Sequence, residues 1–99
     1  MIDRELIAKI KDKKTKIGIV GMGYVGVPLG IEFAESGLEV VGFDTDSEKI
    51  NNINSGKQIM KHISSKKMTK FVKNGCKATS DFEELKHTDC ILMCVPTPL

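Results

Sequence analysis

Several features that would mark a specialised class of protein are scarce in this sequence. It has no tryptophan and one tyrosine among 99 residues. No apolar run approaches the ~18 residues that span a membrane. The first residues lack the basic and then apolar order of a signal peptide. We therefore expect a cytoplasmic protein with no membrane partner.

Cysteine is also scarce, and its spacing excludes several kinds of chemistry. The three cysteines are Cys76, Cys90 and Cys94, an odd number without the spacing of metal ligands. Along one strand face, Cys90 and Cys94 would lie about 13 Å apart, too far for a disulfide. The two histidines, His62 and His87, belong to no catalytic or metal-ligand motif in the sequence. We predict small buried cysteines, no metal site and no catalytic residue.

Acidic residues are missing from one long stretch. From Lys49 to Ser80, both included, the chain has eight lysines and no aspartate or glutamate. A basic surface of this kind can bind nucleic acid, but Phe71 is the only aromatic residue in the stretch. The net charge of the chain is only +2. We therefore expect a solvated helix face and no nucleic-acid partner.

A glycine-rich turn is the most informative feature that is present. Ile17, Ile19 and Val20 form a short apolar run, typical of a parallel strand covered on both faces. A G-x-G-x-x-G pattern follows and opens a helix. In such turns the first glycine permits the tight turn, the second lets a pyrophosphate approach the backbone, and the third lets the helix pack closely. These glycines are Gly21, Gly23 and Gly26.

An acid at the end of the next strand strengthens this interpretation. The stretch 38–43 is typical of a second strand, and Asp44 follows it, eighteen residues after Gly26. A carboxylate there can accept hydrogen bonds from ribose hydroxyls and would repel a 2′-phosphate, which favours NAD over NADP. Lys49 falls in the first turn of the next helix, where a cation is unfavourable. A bound anion, the adenosine edge or simple solvation would each explain it.

The alternation of strands and helices predicts an α/β fold. We expect a Rossmann-type parallel sheet with helices on both faces, strand order 3-2-1-4, truncated after about the fourth strand. That order places Thr97 near the cofactor, although a hydroxyl in a proline-bounded turn explains it equally well. The last strand, 89–95, is apolar throughout, which suggests a central position.

The remaining elements are predicted from their periodicity and stop signals. The predicted helices are 1–13, the segment from the glycine turn to Gly37, about 46–55, 64–75, and a brief one after Ser80. A third strand is predicted at 76–79. Capping boxes are predicted at Thr45 with Glu48 and at Ser80 with Glu83.

With these motifs assembled, the chain resembles the UDP-glucose/GDP-mannose dehydrogenase family. The resemblance rests on GMGYVG at 21–26, FDTD at 43–46 and VPTP at 95–98. It is closest to the branch that oxidises UDP-N-acetylhexosamines to uronates. The chain departs from the family at 58–60, so no substrate-binding role is expected there.

The resemblance implies two successive NAD-dependent oxidations at C6 of a UDP-sugar, through a thiohemiacetal on a cysteine. The family's catalytic residues lie beyond position 99. We therefore expect residues 1–99 to be a partial NAD-binding domain, inactive alone. The central and sugar-binding domains of the family are absent from it, and the resemblance implies an oligomer at full length. The cofactor-binding residues that the resemblance implies are Gly21, Gly23, Tyr24, Val25, Gly26, Asp44, Lys49, Val95, Pro96 and Thr97.

Two other functions are compatible with the glycine turn and its acid. One is a non-enzymatic module that senses NAD. The other is an NAD-dependent dehydrogenase of the hydroxyacid or hydroxyacyl type, for which the GYVG sequence is less expected.

Overall fold

The computed structural model describes residues 15–94, which form a four-stranded parallel sheet with helices packed against it. The strand order is β3-β2-β1-β4, as predicted. The helix predicted at 1–13 lies outside the described residues. The strands are β1 (Lys16–Val20), β2 (Glu39–Phe43), β3 (Lys77–Thr79) and β4 (Cys90–Met93). The helices are α1 (Gly26–Glu35), α2 (Ser47–Asn54), α3 (Ser65–Lys73) and a 3₁₀ helix (Phe82–His87).

Helices cover both faces of the sheet, which confirms the Rossmann-type arrangement. On one face, Ile19 of β1, Val40 of β2 and Phe71 of α3 converge on Gly30 of α1. On the other face, the Phe43 ring packs against Phe82 of the 3₁₀ helix, with ring centroids 5.7 Å apart. Side chains alternate between the faces along each strand, so the two layers are built from alternate residues. The main buried cluster lies on the α1 side.

The position of β4 at one end of the sheet agrees with the predicted order 3-2-1-4 but not with the central position that its apolar composition suggested. Within residues 15–94, β4 pairs only with β1 and forms the edge of the sheet. Its side chains alternate in exposure: Leu92 packs against the core, whereas Ile91 and Met93 are 49% and 67% exposed. Apolar composition alone had suggested a central strand. Within the same span, none of the helices is long and apolar enough to cross a membrane.

Two helix starts also differ from the prediction. Asp46, not Thr45, caps α2, and its Oδ1 accepts hydrogen bonds from the N–H groups of Glu48 (3.1 Å) and Lys49 (3.2 Å). Asp81, not Ser80, caps the 3₁₀ helix through the Glu83 N–H at 3.1 Å. In both cases an aspartate follows the predicted hydroxyl residue, and a charged carboxylate is the stronger acceptor. The predicted capping boxes were wrong by one residue.

The cysteines are packing residues, as predicted for small apolar side chains. Cys76 is buried, and its sulfur contacts the Val40 N–H at 3.4 Å and the Leu38 carbonyl oxygen at 3.8 Å. Burial raises the pKa of the Cys76 thiol. It therefore stays protonated at neutral pH and is a poor nucleophile. Cys90 and Cys94 are partly buried against the core.

A side-chain amide closes the outer edge of β3. Asn54, the last residue of α2, donates from Nδ2 to the Ala78 carbonyl oxygen, and its Oδ1 accepts from the Ala78 N–H, both at 2.8 Å. Ala78 thus exchanges with Asn54 the pair of hydrogen bonds that a neighbouring strand would supply. The amide fits this role because it carries both a donor and an acceptor.

We expect Asn54→Ala to lower the free energy of unfolding by about 1–3 kcal/mol, because both main-chain groups of Ala78 lose their partners. Thermal or urea unfolding measures the change. Asn51→Ala, an exposed position on the same helix, is the matched control and should shift stability by no more than about 0.5 kcal/mol. Equal melting temperatures for the two variants would contradict the role of Asn54.

Candidate dinucleotide-binding site

The glycine turn is fixed to the end of β2 by its first residue. Gly21 has a φ of 99°, a backbone conformation that side chains other than glycine rarely adopt. Its N–H donates to the Phe43 carbonyl oxygen at 2.8 Å. The turn after β1 is therefore held against the neighbouring strand at the carboxyl edge of the sheet, where open α/β sheets bind ligands.

The other two glycines of the motif have opposite surroundings. A Cβ on Gly26 would lie 1.9 Å from the Gly21 carbonyl oxygen, so the close approach of α1 requires glycine there. A Cβ on Gly23 would meet no atom within 4 Å. The fold therefore requires the first and third glycines, whereas the second leaves open space. That open space is what a pyrophosphate lying against the backbone needs.

A buried methionine packs the turn against β2, and the sequence analysis did not predict this role. Met22 is only 1% exposed. Its side chain occupies the space beside Gly42 of β2, within 2.5 Å of where a Gly42 Cβ would be. The glycine inside the apolar second strand was the available signal, because a strand glycine often marks a close approach by another group.

The start of α1 has two exposed residues and no side-chain cap. Tyr24 and Val25 are 85% and 64% exposed, and no side chain caps the helix at Val25. The first turn of α1 carries no acidic residue. The N–H groups and partial positive charge of a helix start are suited to an anion. Both residues thus lie where the sequence predicted a phosphate contact.

Asp44 connects the turn to the end of β2. Its Oδ2 accepts a hydrogen bond from the Met22 N–H at 3.0 Å, and its Oδ1 accepts one from the Asp46 N–H at 3.0 Å. The side chain is 14% exposed. The structure therefore brings the predicted acid directly to the glycine turn.

These contacts keep the carboxylate charged. Burial alone would raise the pKa of Asp44, but the N–H groups of Asp46 and Met22, together with the Lys49 ammonium, hold this pKa below its ordinary value. Asp44 is therefore ionised at neutral pH. An ionised carboxylate is an acceptor only, which suits hydrogen bonds from two ribose hydroxyls.

Lys49 has a partner that the sequence analysis did not consider. Its Nζ lies 3.3 Å from Asp44 Oδ2, and its side chain is 34% exposed. The intramolecular ion pair explains a lysine in the first turn of α2 without a bound anion. Such a partly exposed pair contributes at most about 1 kcal/mol to stability, so the ammonium can be redirected toward a ligand.

An open cleft of about 880 Å³ adjoins the turn. It lies between the start of α1, the first turns of α2 and the segment that follows α2. The predicted cofactor residues Val95, Pro96 and Thr97 lie outside the described residues. The cleft is lined by Met22, Gly23, Tyr24, Asp46, Glu48, Lys49, Asn52, Gln58, Ile59, Met60, Lys61 and His62.

Three features together define a dinucleotide-binding domain of the Rossmann type. They are a parallel sheet of order 3-2-1-4, a glycine turn that leads into a helix, and an acid at the end of the second strand. Residues 15–99 match the model of the UDP-glucose/GDP-mannose dehydrogenase family, NAD binding domain. The chain belongs to this family.

Curated relatives and solved structures agree with this assignment. A UDP-N-acetyl-D-mannosamine dehydrogenase from Pyrococcus horikoshii is 40% identical over 85% of this chain. A UDP-N-acetyl-D-glucosamine 6-dehydrogenase from Salmonella typhi is 34% identical over 87% of it. Among solved structures, a GDP-mannose dehydrogenase from Pseudomonas aeruginosa superposes with a TM-score of 0.77 at 34% identity, covering 83% of this chain. The matched regions are 21%, 20% and 20% of those three proteins, so the chain spans about a fifth of their length.

Proposed function

We propose that this chain is the cofactor-binding part of an NAD-dependent nucleotide-sugar 6-dehydrogenase that converts a UDP-sugar to a UDP-uronate. The observation that carries the proposal is that the glycine turn and the acid lie side by side. Gly23 is open to a ligand, and Asp44 is held next to the turn by a hydrogen bond from the Met22 N–H. The relatives supply the substrate class, since a UDP-N-acetyl-D-mannosamine dehydrogenase and a UDP-N-acetyl-D-glucosamine 6-dehydrogenase are among them.

In this proposal, NAD supplies the redox chemistry and the residues of this chain bind NAD. NAD supplies the hydride acceptor for oxidation of the sugar at C6. The start of α1 and the turn at Gly23 hold the pyrophosphate by main-chain N–H groups. Asp44 holds the adenosine ribose, with Lys49 beside it. We assign no catalytic residue to positions 1–99, and we propose that the chain alone does not oxidise sugars.

The proposal extends to the setting of the protein. We propose a cytoplasmic enzyme whose partners are NAD and a UDP-sugar, and which forms oligomers at full length. The match to the family's NAD binding domain and to UDP-sugar dehydrogenases supports the two partners.

Calorimetric titration of the 99-residue chain with NAD and with NADP tests the cofactor assignment. We expect NAD to bind at least about tenfold more tightly, because Asp44 accepts from the ribose hydroxyls and repels a 2′-phosphate. Equal affinity for the two dinucleotides would contradict it. A second assay, NADH formation from UDP-N-acetylglucosamine, should give no signal above the protein-free rate. Turnover by the purified chain would overturn the assignment of catalysis to other parts of the protein.

A further inference from the structure

The segment 57–63 contributes residues 58–62 to the lining of the cleft beside the glycine turn. It follows α2 and ends at Ile63, which is 5% exposed and belongs to the main core. Met60 and Ile63 form an antiparallel bridge, with the Ile63 N–H donating to the Met60 carbonyl oxygen at 3.2 Å. The segment is therefore a closed turn fastened to the core at its far end.

A single side chain holds the tip of this turn. Gln58 donates from Nε2 to the carbonyl oxygens of Met60 at 3.2 Å and Lys61 at 3.1 Å. Two hydrogen bonds from one amide fix the main chain immediately before and at Lys61. Ile59 and Met60 are partly buried against the core, which limits movement of the same stretch. Lys61 is thus presented to the cleft from an ordered backbone.

The charges around the cleft leave Lys61 available. Lys49 is paired with Asp44, and Asp46 is engaged in capping α2. Lys61 has no carboxylate within ion-pair distance among residues 15–94. Glu48 lines the same cleft, and its charge opposes an anion there. The glycine turn itself offers an anion only main-chain N–H groups, and of the two lysines that line the cleft, Lys61 is the one without a carboxylate partner among residues 15–94.

We infer that Lys61 contacts the pyrophosphate of the bound dinucleotide across the cleft, and that Gln58 is the residue that positions it. This inference rests on the proposed function and adds a side-chain contact to its main-chain site. A dinucleotide pyrophosphate carries two negative charges. A lysine ammonium on a flexible stem suits such a target as a point charge.

Calorimetric titrations with NAD at low and moderate salt test the inference. We expect Lys61→Gln to weaken NAD binding roughly three- to tenfold and to flatten the salt dependence of affinity. Lys61→Arg should retain most of the affinity. Lys57→Gln removes an exposed lysine from the same segment that does not line the cleft, so its affinity should equal that of the parent.

Two further comparisons separate a phosphate contact from a general loss of structure. ADP-ribose, which keeps the pyrophosphate, should show the same loss with Lys61→Gln, whereas adenosine should bind both proteins equally. Gln58→Ala should weaken NAD binding less than Lys61→Gln, and adding it to Lys61→Gln should cause no further loss. Thermal melting without ligand should be the same for Lys61→Gln and Lys57→Gln.

The results distinguish this inference from the proposed function. If the parent binds NAD and Lys61→Gln binds it equally well, the contact with Lys61 is wrong and the cofactor assignment stands. If Lys61→Gln weakens adenosine as much as ADP-ribose, a pyrophosphate contact is wrong. If the parent shows no affinity for NAD, both the proposed function and this inference are overturned.

Discussion

Gly23→Val is expected to weaken NAD binding by about 100-fold or more and to leave the stability of the domain almost unchanged. The open space over Gly23 is the reason for both effects, since a Cβ added there would meet no protein atom within 4 Å. The valine would instead occupy the position that the pyrophosphate needs. Calorimetry measures the affinity, and thermal unfolding without ligand should show a change within about 0.5 kcal/mol.

Gly26→Ala provides the opposite control within the same motif. Its Cβ would lie 1.9 Å from the Gly21 carbonyl oxygen, so α1 or the turn must move. We expect this variant to unfold at lower temperature even without ligand. If Gly23→Val were destabilised as strongly as Gly26→Ala, the separation between a binding glycine and a packing glycine would be wrong.

Asp44→Ala is expected to reverse or abolish the preference for NAD. Hydrogen bonds to a charged group contribute about 1.5–3 kcal/mol each, so NAD affinity should fall at least about tenfold. NADP should lose less or gain affinity, because the repelling carboxylate is removed and Lys49 is released from its ion pair to meet the 2′-phosphate. Parallel titrations with both dinucleotides give the ratio directly.

Asp46→Ala is the matched control, because it removes a carboxylate two residues away. This variant loses the cap of α2, which costs about 0.5–2 kcal/mol of stability, but it keeps the carboxylate at Asp44. Its ratio of NAD to NADP affinity should match that of the parent. A ratio that changes as much in Asp46→Ala as in Asp44→Ala would show that net charge near the turn, not the ribose contact, sets the preference.

The features predicted correctly from the sequence are those fixed by local patterns. The glycine spacing predicted the turn, the strand and helix alternation predicted the order 3-2-1-4, and the position after β2 predicted the place of Asp44. Each of these depends on hydrophobic periodicity or on the backbone requirements of glycine, which neighbouring residues display directly.

The features that were missed depend on contacts between distant segments or on competition between adjacent residues. The packing of Met22 against Gly42 joins residues twenty positions apart. The amide of Asn54 and the main chain of Ala78 meet only when α2 packs beside β3. The capping errors arose because two suitable acceptors were adjacent, and only the folded backbone decides which of them faces the helix start. The apolar pattern of β4 does not reveal which neighbours the strand has.

The hydrogen bond from the Met22 N–H to Asp44 has a consequence for ligand selection. Under the proposed function, this bond ties the turn that takes the phosphates to the carboxylate that takes the ribose, so the distance between the two subsites is set before any ligand arrives. A dinucleotide therefore meets a preorganised pair of contacts, and little of its binding free energy is lost in ordering them. The fixed distance also selects ligands by their length. A nucleotide whose ribose and phosphates are spaced differently can contact the turn or the acid, but not both.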